Sequence, residues 1–285
     1  MNAQGMNVDL SGVPETMLWP LWNRAAEMRR ADRLIDDPMA VDLVERIDYD
    51  FAAHFGKPTV FHPIRARVCD DLIRRYVMHC PGTPTVVALG EGLETQLWRI
   101  ADERMNWISV DVPEAADMRR KLLPDHPQAS LLEYSALDPA WMEAVPDGEA
   151  PFIAAAGLFM YFEEADVRAL LGRIAERFPG AEIFFDAITP HISKRTLSGL
   201  KITKRYTAPP MPWGIAVDDL PDFIGAIPGL QPVSVQSYAD PFPKRTRLYR
   251  LLSRVPAIRR RYAGSLAHAR AEKDVTVGDT HPPSC

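Results

Sequence analysis

Val86-Val87-Ala88-Leu89-Gly90-Glu91-Gly92-Leu93-Glu94-Thr95 is the stretch on which the reading of this chain turns. A compact apolar run, Thr85 to Leu89, meets Gly90-Glu91-Gly92 without a spacer. Such a run is a strand buried on both faces, and a Gly-x-Gly at its end lets the backbone turn tightly and approach a ligand. Many glycine turns bind nothing, so the next strand carries weight. Trp107 to Val110 is a second apolar run, and it ends on Asp111. An acid about twenty residues past the glycines, at a strand end, is placed to take both hydroxyls of a ribose. Together the turn and Asp111 point to an adenosine-containing cofactor.

Outward from this stretch, short apolar runs alternate with helical patterns. Helices are expected over Glu94 to Arg104, Pro113 to Leu123 and Glu163 to Phe178. Further strands are expected over Ser130 to Tyr134, Phe152 to Ala156 and Ile183 to Phe185, the last running into Asp186. That rhythm predicts an α/β fold: a Rossmann-like, mostly parallel central sheet with helices on both faces. Right-handed crossovers bring all strand C-terminal ends to one edge, where ligands bind. Upstream, Met17 to Arg30, Pro38 to Ile47 and Pro63 to His79 read as an N-terminal helical extension, with Asp37 as N-cap and Pro38 in the first helical position. Met1 to Gly12 reads as loose. Ala187 to Ala216 breaks the rhythm with prolines, lysines and the aromatics Tyr206 and Trp213, and is expected to be a lid insertion over the ligand edge.

Composition removes several classes. A 47% hydrophobic content over 285 residues is enough for a full core, and a net charge of -5 gives no global case for nucleic acid. Cys69, Cys80 and Cys285 have neither disulfide-framework nor zinc spacing, so no metal is expected and a reduced, cytoplasmic setting fits. No signal peptide is visible at Met1 to Leu10. The longest apolar run, Pro151 to Phe162, falls short of the roughly 20 residues a membrane helix needs. Lys244 to Arg261 holds eight basic residues and no acid, and reads as a solvated or sheet-edge segment.

The loop itself separates two cofactor classes. A dinucleotide site needs a third small residue and a helix N-terminus open to pyrophosphate, but Thr95 stands at the third position. Glu91 and Glu94 place two carboxylates in the loop, unfavourable to pyrophosphate and compatible with an ammonium and a sulfonium. That favours S-adenosylmethionine over a nicotinamide dinucleotide.

Several motifs taken in order are specific: Asn23-Arg24-Ala25-Ala26-Glu27, Leu34-Ile35-Asp36-Asp37-Pro38, Arg65-Ala66-Arg67-Val68-Cys69-Asp70 and Ala88 to Gln96. Val110-Asp111-Val112-Pro113-Glu114, Ser135-Ala136-Leu137-Asp138-Pro139-Ala140-Trp141, Gly157-Leu158-Phe159-Met160-Tyr161 and Phe178-Pro179-Gly180 continue the series. Over roughly Glu15 to Arg261 the chain resembles the leucine carboxyl methyltransferase family, especially its bacterial branch of tetracenomycin-type polyketide O-methyltransferases. The resemblance implies a class I methyltransferase fold. It implies that residues 1–82 form a helical cap contributing to the cofactor site. Residues 83–262 then form the core with its lid at about 187–216, and residues 263–285 a flexible tail.

It also implies roles. Arg65 reaches the carboxylate of the cofactor's methionine part, and Arg24 holds a similar position. Gly90 and Gly92 lie under methionine and ribose, Asp111 holds the ribose, and Ser135, Ala136 and Leu137 border the adenine. Tyr161 sits by the methyl group and acceptor. Ala156 departs from the pattern: many relatives carry Glu or Gln there, so a candidate partner for the ammonium is missing, and either Glu91 takes over or the cofactor affinity is lower. Ser135 departs too, standing where some relatives carry an acid for the adenine.

Methyl transfer from a sulfonium needs alignment and desolvation more than acid–base chemistry. A carboxylate, with a reference pKa of about 4, arrives ionised, whereas a phenol near 10 ordinarily needs a base. No histidine has motif support as that base; His62 and His191 read as structural or exposed. The expected activity is therefore O-methylation of a small-molecule acceptor, a carboxylate of an aromatic or polyketide-like compound. Tyr206 and Trp213 are expected to contact it, with Lys194, Lys201, Lys204 or Arg205 attracting its charge. No membrane and no nucleic-acid partner is expected, and the oligomeric state is left open. The alternatives are a non-catalytic S-adenosylmethionine-binding protein, motivated by Ala156, and a NAD-dependent oxidoreductase.

Overall fold

A computed structural model describes residues 13–148 and 150–273. The stretch expected to be loose, Met1 to Gly12, lies outside them. Seven strands form one sheet: β1 (Thr85–Leu89), β2 (Asn106–Asp111), β3 (Ala129–Glu133), β4 (Phe152–Ala155), β5 (Glu182–Ala187), β6 (Leu230–Ser237) and β7 (Ser265–Ala271). Their order is β3-β2-β1-β4-β5-β7-β6. Strands β1 to β5 pair in parallel, and β7 runs antiparallel between β5 and β6.

The alternation along β1 shows why the strands read as unbroken apolar runs. Val86 and Ala88 face one side, packed with Ile64, Leu72, Ile73 and Val77 of the helix Phe61–His79. Val87 and Leu89 face the other, packed with Val167, Leu170, Leu171 and Ile174 of the helix Glu164–Arg177. Both faces are covered, so neither position in the two-residue repeat can be polar. From β1 the chain winds outward through β2 and β3, then returns to start β4 on the other side. That reversal opens a crevice at the C-terminal ends of β1 and β4.

The N-terminal helices Leu18–Glu27, Pro38–Arg46 and Phe51–Phe55 form a separate apolar cluster that leans over this edge. Asp37 caps Pro38–Arg46 as expected, its carboxylate accepting from Ala40 N at 3.1 Å. Between β5 and β6 the chain makes the helix Pro190–Leu197, a turn tied at the Lys201–Thr207 bridge, and the short helix Leu220–Gly225.

The expected tail from residue 263 is corrected. Ser265–Ala271 is an interior strand, buried at every position but Arg270. Small residues alternate along it, Ala267, Ala269 and Ala271 packing on the Val87 side of the core. Its run SLAHARA lacks the long aliphatic side chains that mark the other strands. Residues 274–285 lie outside the described residues. Among the described residues no helix is long and apolar enough to cross a membrane.

Candidate active site

A cavity of about 650 Å³ opens at the C-terminal ends of β1, β4 and β5. The N-terminal cap supplies one wall (Trp19, Arg24, His62, Arg65) and the insertion supplies the roof (Ile192, Leu200, Tyr206, Met211). Its volume falls within the usual range for small-molecule sites.

The glycine turn forms the floor. Gly90 and Gly92 have φ of 59° and 53°, in the left-handed region that side chains disfavour. A Cβ on Gly90 would lie 2.6 Å from Leu158 Cδ1, and one on Gly92 would lie 2.6 Å from Met17 Cγ. Gly92 N donates to Asp111 Oδ2 at 2.8 Å, so the strand-end acid also pins the loop. Burial raises the Asp111 pKa, against the pull of the Gly92 and Val112 amides.

Behind the turn lies a buried ion network. Arg24 Nε donates to Asp37 at 2.9 Å, its Nη1 to Glu94 at 3.1 Å and its Nη2 to Leu93 O at 2.7 Å. Arg99 joins Asp37, Asp70 and Glu94. Thr95 Oγ1 donates to Asp37 at 2.8 Å, and Gln96 Nε2 to Asp70 at 2.6 Å. Thr95 thus stands where a dinucleotide site would have a glycine because its hydroxyl closes this network. Burial alone would raise Glu94, but Arg24 and Arg99 hold it at about 2.

Two expectations change here. Arg24 spends its guanidinium on the protein, so it shapes the loop rather than presenting itself to a ligand. Glu91 and Glu94 are not two free carboxylates: Glu94 is paired as described, and Glu91 Oε1 meets Arg119 Nη2 at 2.9 Å as well as Ser109. The electrostatic ground for excluding a pyrophosphate is therefore weaker than the bare sequence suggests. Glu91 Oε2, buried in the turn, is one of five buried side-chain polar atoms without a hydrogen-bond partner among the described residues. Burial raises the Glu91 pKa, against the pull of Arg119.

On the far side, Arg65 lies across Gly157, whose φ of 76° and missing Cβ make the room; a side chain there would collide with the guanidinium. Asp186, at the end of β5, accepts from Arg65 Nη1 at 3.3 Å, from Tyr238 Oη at 2.8 Å and from Gly157 N at 2.5 Å. Burial disfavours the Arg65 charge, but Asp186 more than offsets this and its pKa rises. Ala156 lines the cavity beside Gly157. Tyr161 lines it too, its phenol pushed up to about 12 by burial.

Other expected residues fall elsewhere. Trp213 is a core side chain, 2% exposed, packed among Phe159, Phe185 and Phe223. It anchors the insertion and does not line the cavity. Tyr206 does line it, with its ring against Trp19 and Phe55. Lys194, Lys201, Lys204 and Arg205 are exposed and outside the cavity lining.

Ser135, Ala136 and Leu137 follow β3, whose Glu133 pairs with Asp111, but they stand outside this cavity. Ala136 O and Leu137 O already accept from Trp141 Nε1 and Arg173 Nη2. His62, expected to be structural or exposed, is on the cavity wall. Asp186, Tyr238, Tyr249 and Tyr262 complete the lining without having been singled out. Asp186 alone carried a signal, as an acid ending a strand in the manner of Asp111.

The comparisons agree with the fold. The sequence profile of the leucine carboxyl methyltransferase family matches residues 18–175. The tetracenomycin polyketide synthesis O-methyltransferase TcmP of Streptomyces glaucescens is 31% identical over 216 residues, covering 74% of this chain and 78% of that protein. The S-adenosyl-L-methionine-dependent methyltransferase dpfgK of Gibberella zeae is 28% identical over 203 residues, covering 63% of this chain and 67% of that protein. A solved structure from Thermobifida fusca, provisionally described as a methyltransferase, superposes with a TM-score of 0.54 at 14% identity. It covers 91% of this chain and 98% of that one, a likeness of fold.

Proposed function

The chain belongs to the leucine carboxyl methyltransferase family and is an S-adenosylmethionine-dependent methyltransferase; on that footing we propose that it methylates a carboxylate oxygen of a small, largely apolar acid. The residues present fit the cofactor. The Gly90–Gly92 turn admits close approach, Arg65 offers a fixed cation for the amino-acid carboxylate, and Glu91 Oε2 is an acceptor without a donor. Asp111, at the end of β2, is the proposed ribose ligand; Asp111→Ala should lose binding of S-adenosylhomocysteine in calorimetry. Ala156 leaves the backbone and Glu91 to face the ammonium. Ser135, Ala136 and Leu137 remain the proposed border of the adenine, reached on the β3 side of the turn.

When bound, the cofactor supplies a methyl group on a positively charged sulfur, and its transfer to a carboxylate gives a neutral ester with no proton exchanged. The chain's own residues then have to align and dry the acceptor. Tyr161 and Tyr206 stand at the acceptor end, and the insertion excludes water.

The observation that carries the carboxylate reading is that, among the described residues, the acids on the cavity wall are committed to cations or amide donors, apart from Glu91 Oε2, which this reading gives to the cofactor's ammonium. Glu94 is held by two arginines, Glu91 by Arg119, and Asp186 by three donors. The imidazole of His62 has its Nδ1 occupied by the Asn23 amide. A phenol near its usual pKa would find no base there. Aromatic and polyketide-like acids fit the apolar lining, and the likeness to TcmP points the same way. The test is transfer of labelled methyl to matched pairs, an aromatic carboxylic acid against the corresponding phenol. Ester formation from the acids is expected; labelling of phenols alone would overturn the proposal.

A further inference from the structure

His62 sits on the cavity wall, its ring edge-on to Trp19 with centroids 5.6 Å apart. The Asn23 side chain fixes the state of that ring. Thr59 N donates to Asn23 Oδ1 at 3.0 Å, and a backbone N–H can only donate, so the amide oxygen must face it. The amide nitrogen is then turned to Thr59 Oγ1, at 3.3 Å, and to His62 Nδ1. An amide nitrogen only donates, so His62 Nδ1 must accept and the ring proton must be on Nε2. Nε2 has no hydrogen-bond partner among the described residues, and it is not one of their sealed, unpartnered polar atoms.

A second proton on Nδ1 would set N–H against N–H. The charged groups around the ring lean the same way: Arg65 and Arg24 oppose a positive imidazole, and Glu94, which would favour one, is itself paired to Arg24 and Arg99.

We infer that His62 is a fixed neutral hydrogen-bond donor that presents Nε2–H to the acceptor and selects an ionised oxygen, with Asn23 as its positioning residue. The inference rests on the reading of the cavity as a site for an acidic acceptor. A carboxylate has two oxygens, so one can take the Nε2 proton in a hydrogen bond while the other attacks. A neutral donor orients the anion without drawing off its charge as a cation would. A protonated hydroxyl can also accept from Nε2–H, but the ring cannot take its proton.

Long-range proton–nitrogen NMR on the full chain, saturated with S-adenosylhomocysteine, reads the tautomer directly, with His62→Gln identifying the signal among seven histidines. The expected result is a neutral ring protonated at Nε2 at pH 7. A proton on Nδ1, or an imidazolium, would overturn the inference.

Benzoate binding to the same complex tests the consequence. His62→Phe should weaken it about tenfold or more, the worth of a hydrogen bond to a charged group. His62→Gln, which keeps an N–H, should stay near wild type. In the NMR, Asn23→Asp, whose carboxylate accepts from Nδ1–H, should place a proton on Nδ1 that wild type lacks. Affinity for S-adenosylhomocysteine within about twofold shows each variant folded, since the cofactor contacts lie elsewhere. Equal benzoate affinity in wild type and His62→Phe would refute the donor role. No binding of benzoate to wild type would instead sink the acidic-acceptor reading and the donor role with it, while the tautomer result stands alone.

Discussion

Gly157→Ala separates what the glycine does for the backbone from what it does for Arg65. The backbone part is a φ of 76°, which costs an L-residue about 1–2 kcal/mol. The second part is steric. The new Cβ falls on the Arg65 guanidinium, the movable end of a long side chain, so the arginine gives way and leaves Asp186 with only Tyr238 and Gly157 N. If Arg65 holds the cofactor's carboxylate, the lost charge-assisted bond is worth about 1.5–3 kcal/mol, or about 10- to 150-fold in affinity. Gly229→Ala is the control. Its φ is 73°, and its Cβ would have only an ordinary 3.7 Å contact with Ala175, on the other side of the sheet from Arg65. Both variants should lose similar stability in urea melts, and only Gly157→Ala should lose S-adenosylhomocysteine affinity in calorimetry. Affinity within about twofold of wild type for Gly157→Ala would refute Arg65 as the carboxylate ligand.

Arg99→Met should destabilise the fold by about 3–5 kcal/mol, because it leaves Asp70, Asp37 and Glu94 short of a shared buried partner; urea unfolding at pH 7 reads this, and a change below 1 kcal/mol would deny the network its structural role. Glu94 has its folded pKa depressed from 4.5 to about 2, so its contribution is complete above 4.5 and is lost as pH falls from there toward 2. Stability measured across that window should decline less steeply in Glu94→Gln than in wild type. Trp213→Ala should lose about 3–5 kcal/mol of stability as a core truncation, whereas Tyr206→Phe should fold normally and alter acceptor KM; the reverse pattern would restore Trp213 to the acceptor site.

What the sequence showed and what it hid divide along a physical line. Strands β1 to β5 were legible because burial on both faces forces continuous apolar runs, and Asp37-Pro38 because a cap and a first-turn proline are local signals. β7 was hidden because the residues it packs against the core on the Val87 side are alanines, which leave no hydrophobic peak. Trp213 was misassigned by the same limit: a large aromatic in an irregular segment can face a ligand or anchor the segment, and only the packing around Phe159 and Phe223 decides. His62 looked unremarkable because its partner, Asn23, is 39 residues away.

Four of the family motifs, scattered along the chain, converge on one object. Arg24, Asp37, Asp70, Glu94, Thr95 and Arg99 come from four separate stretches and meet behind the glycine turn. Removing any one member strands its partners in low dielectric, so the set has to be kept together. Its charge also restores, on firmer ground, the argument that the two loop glutamates could not carry alone. Three carboxylates face two guanidiniums, which leaves one negative charge uncompensated beneath the turn. Glu91 is paired with Arg119, which also attracts Asp111; among the described residues Asp111 accepts hydrogen bonds from the backbone amides of Gly92 and Val112, so these two carboxylates share one guanidinium. The field at the turn therefore favours a cation over a pyrophosphate, and it arises from the whole network with Asp111 rather than from any single side chain.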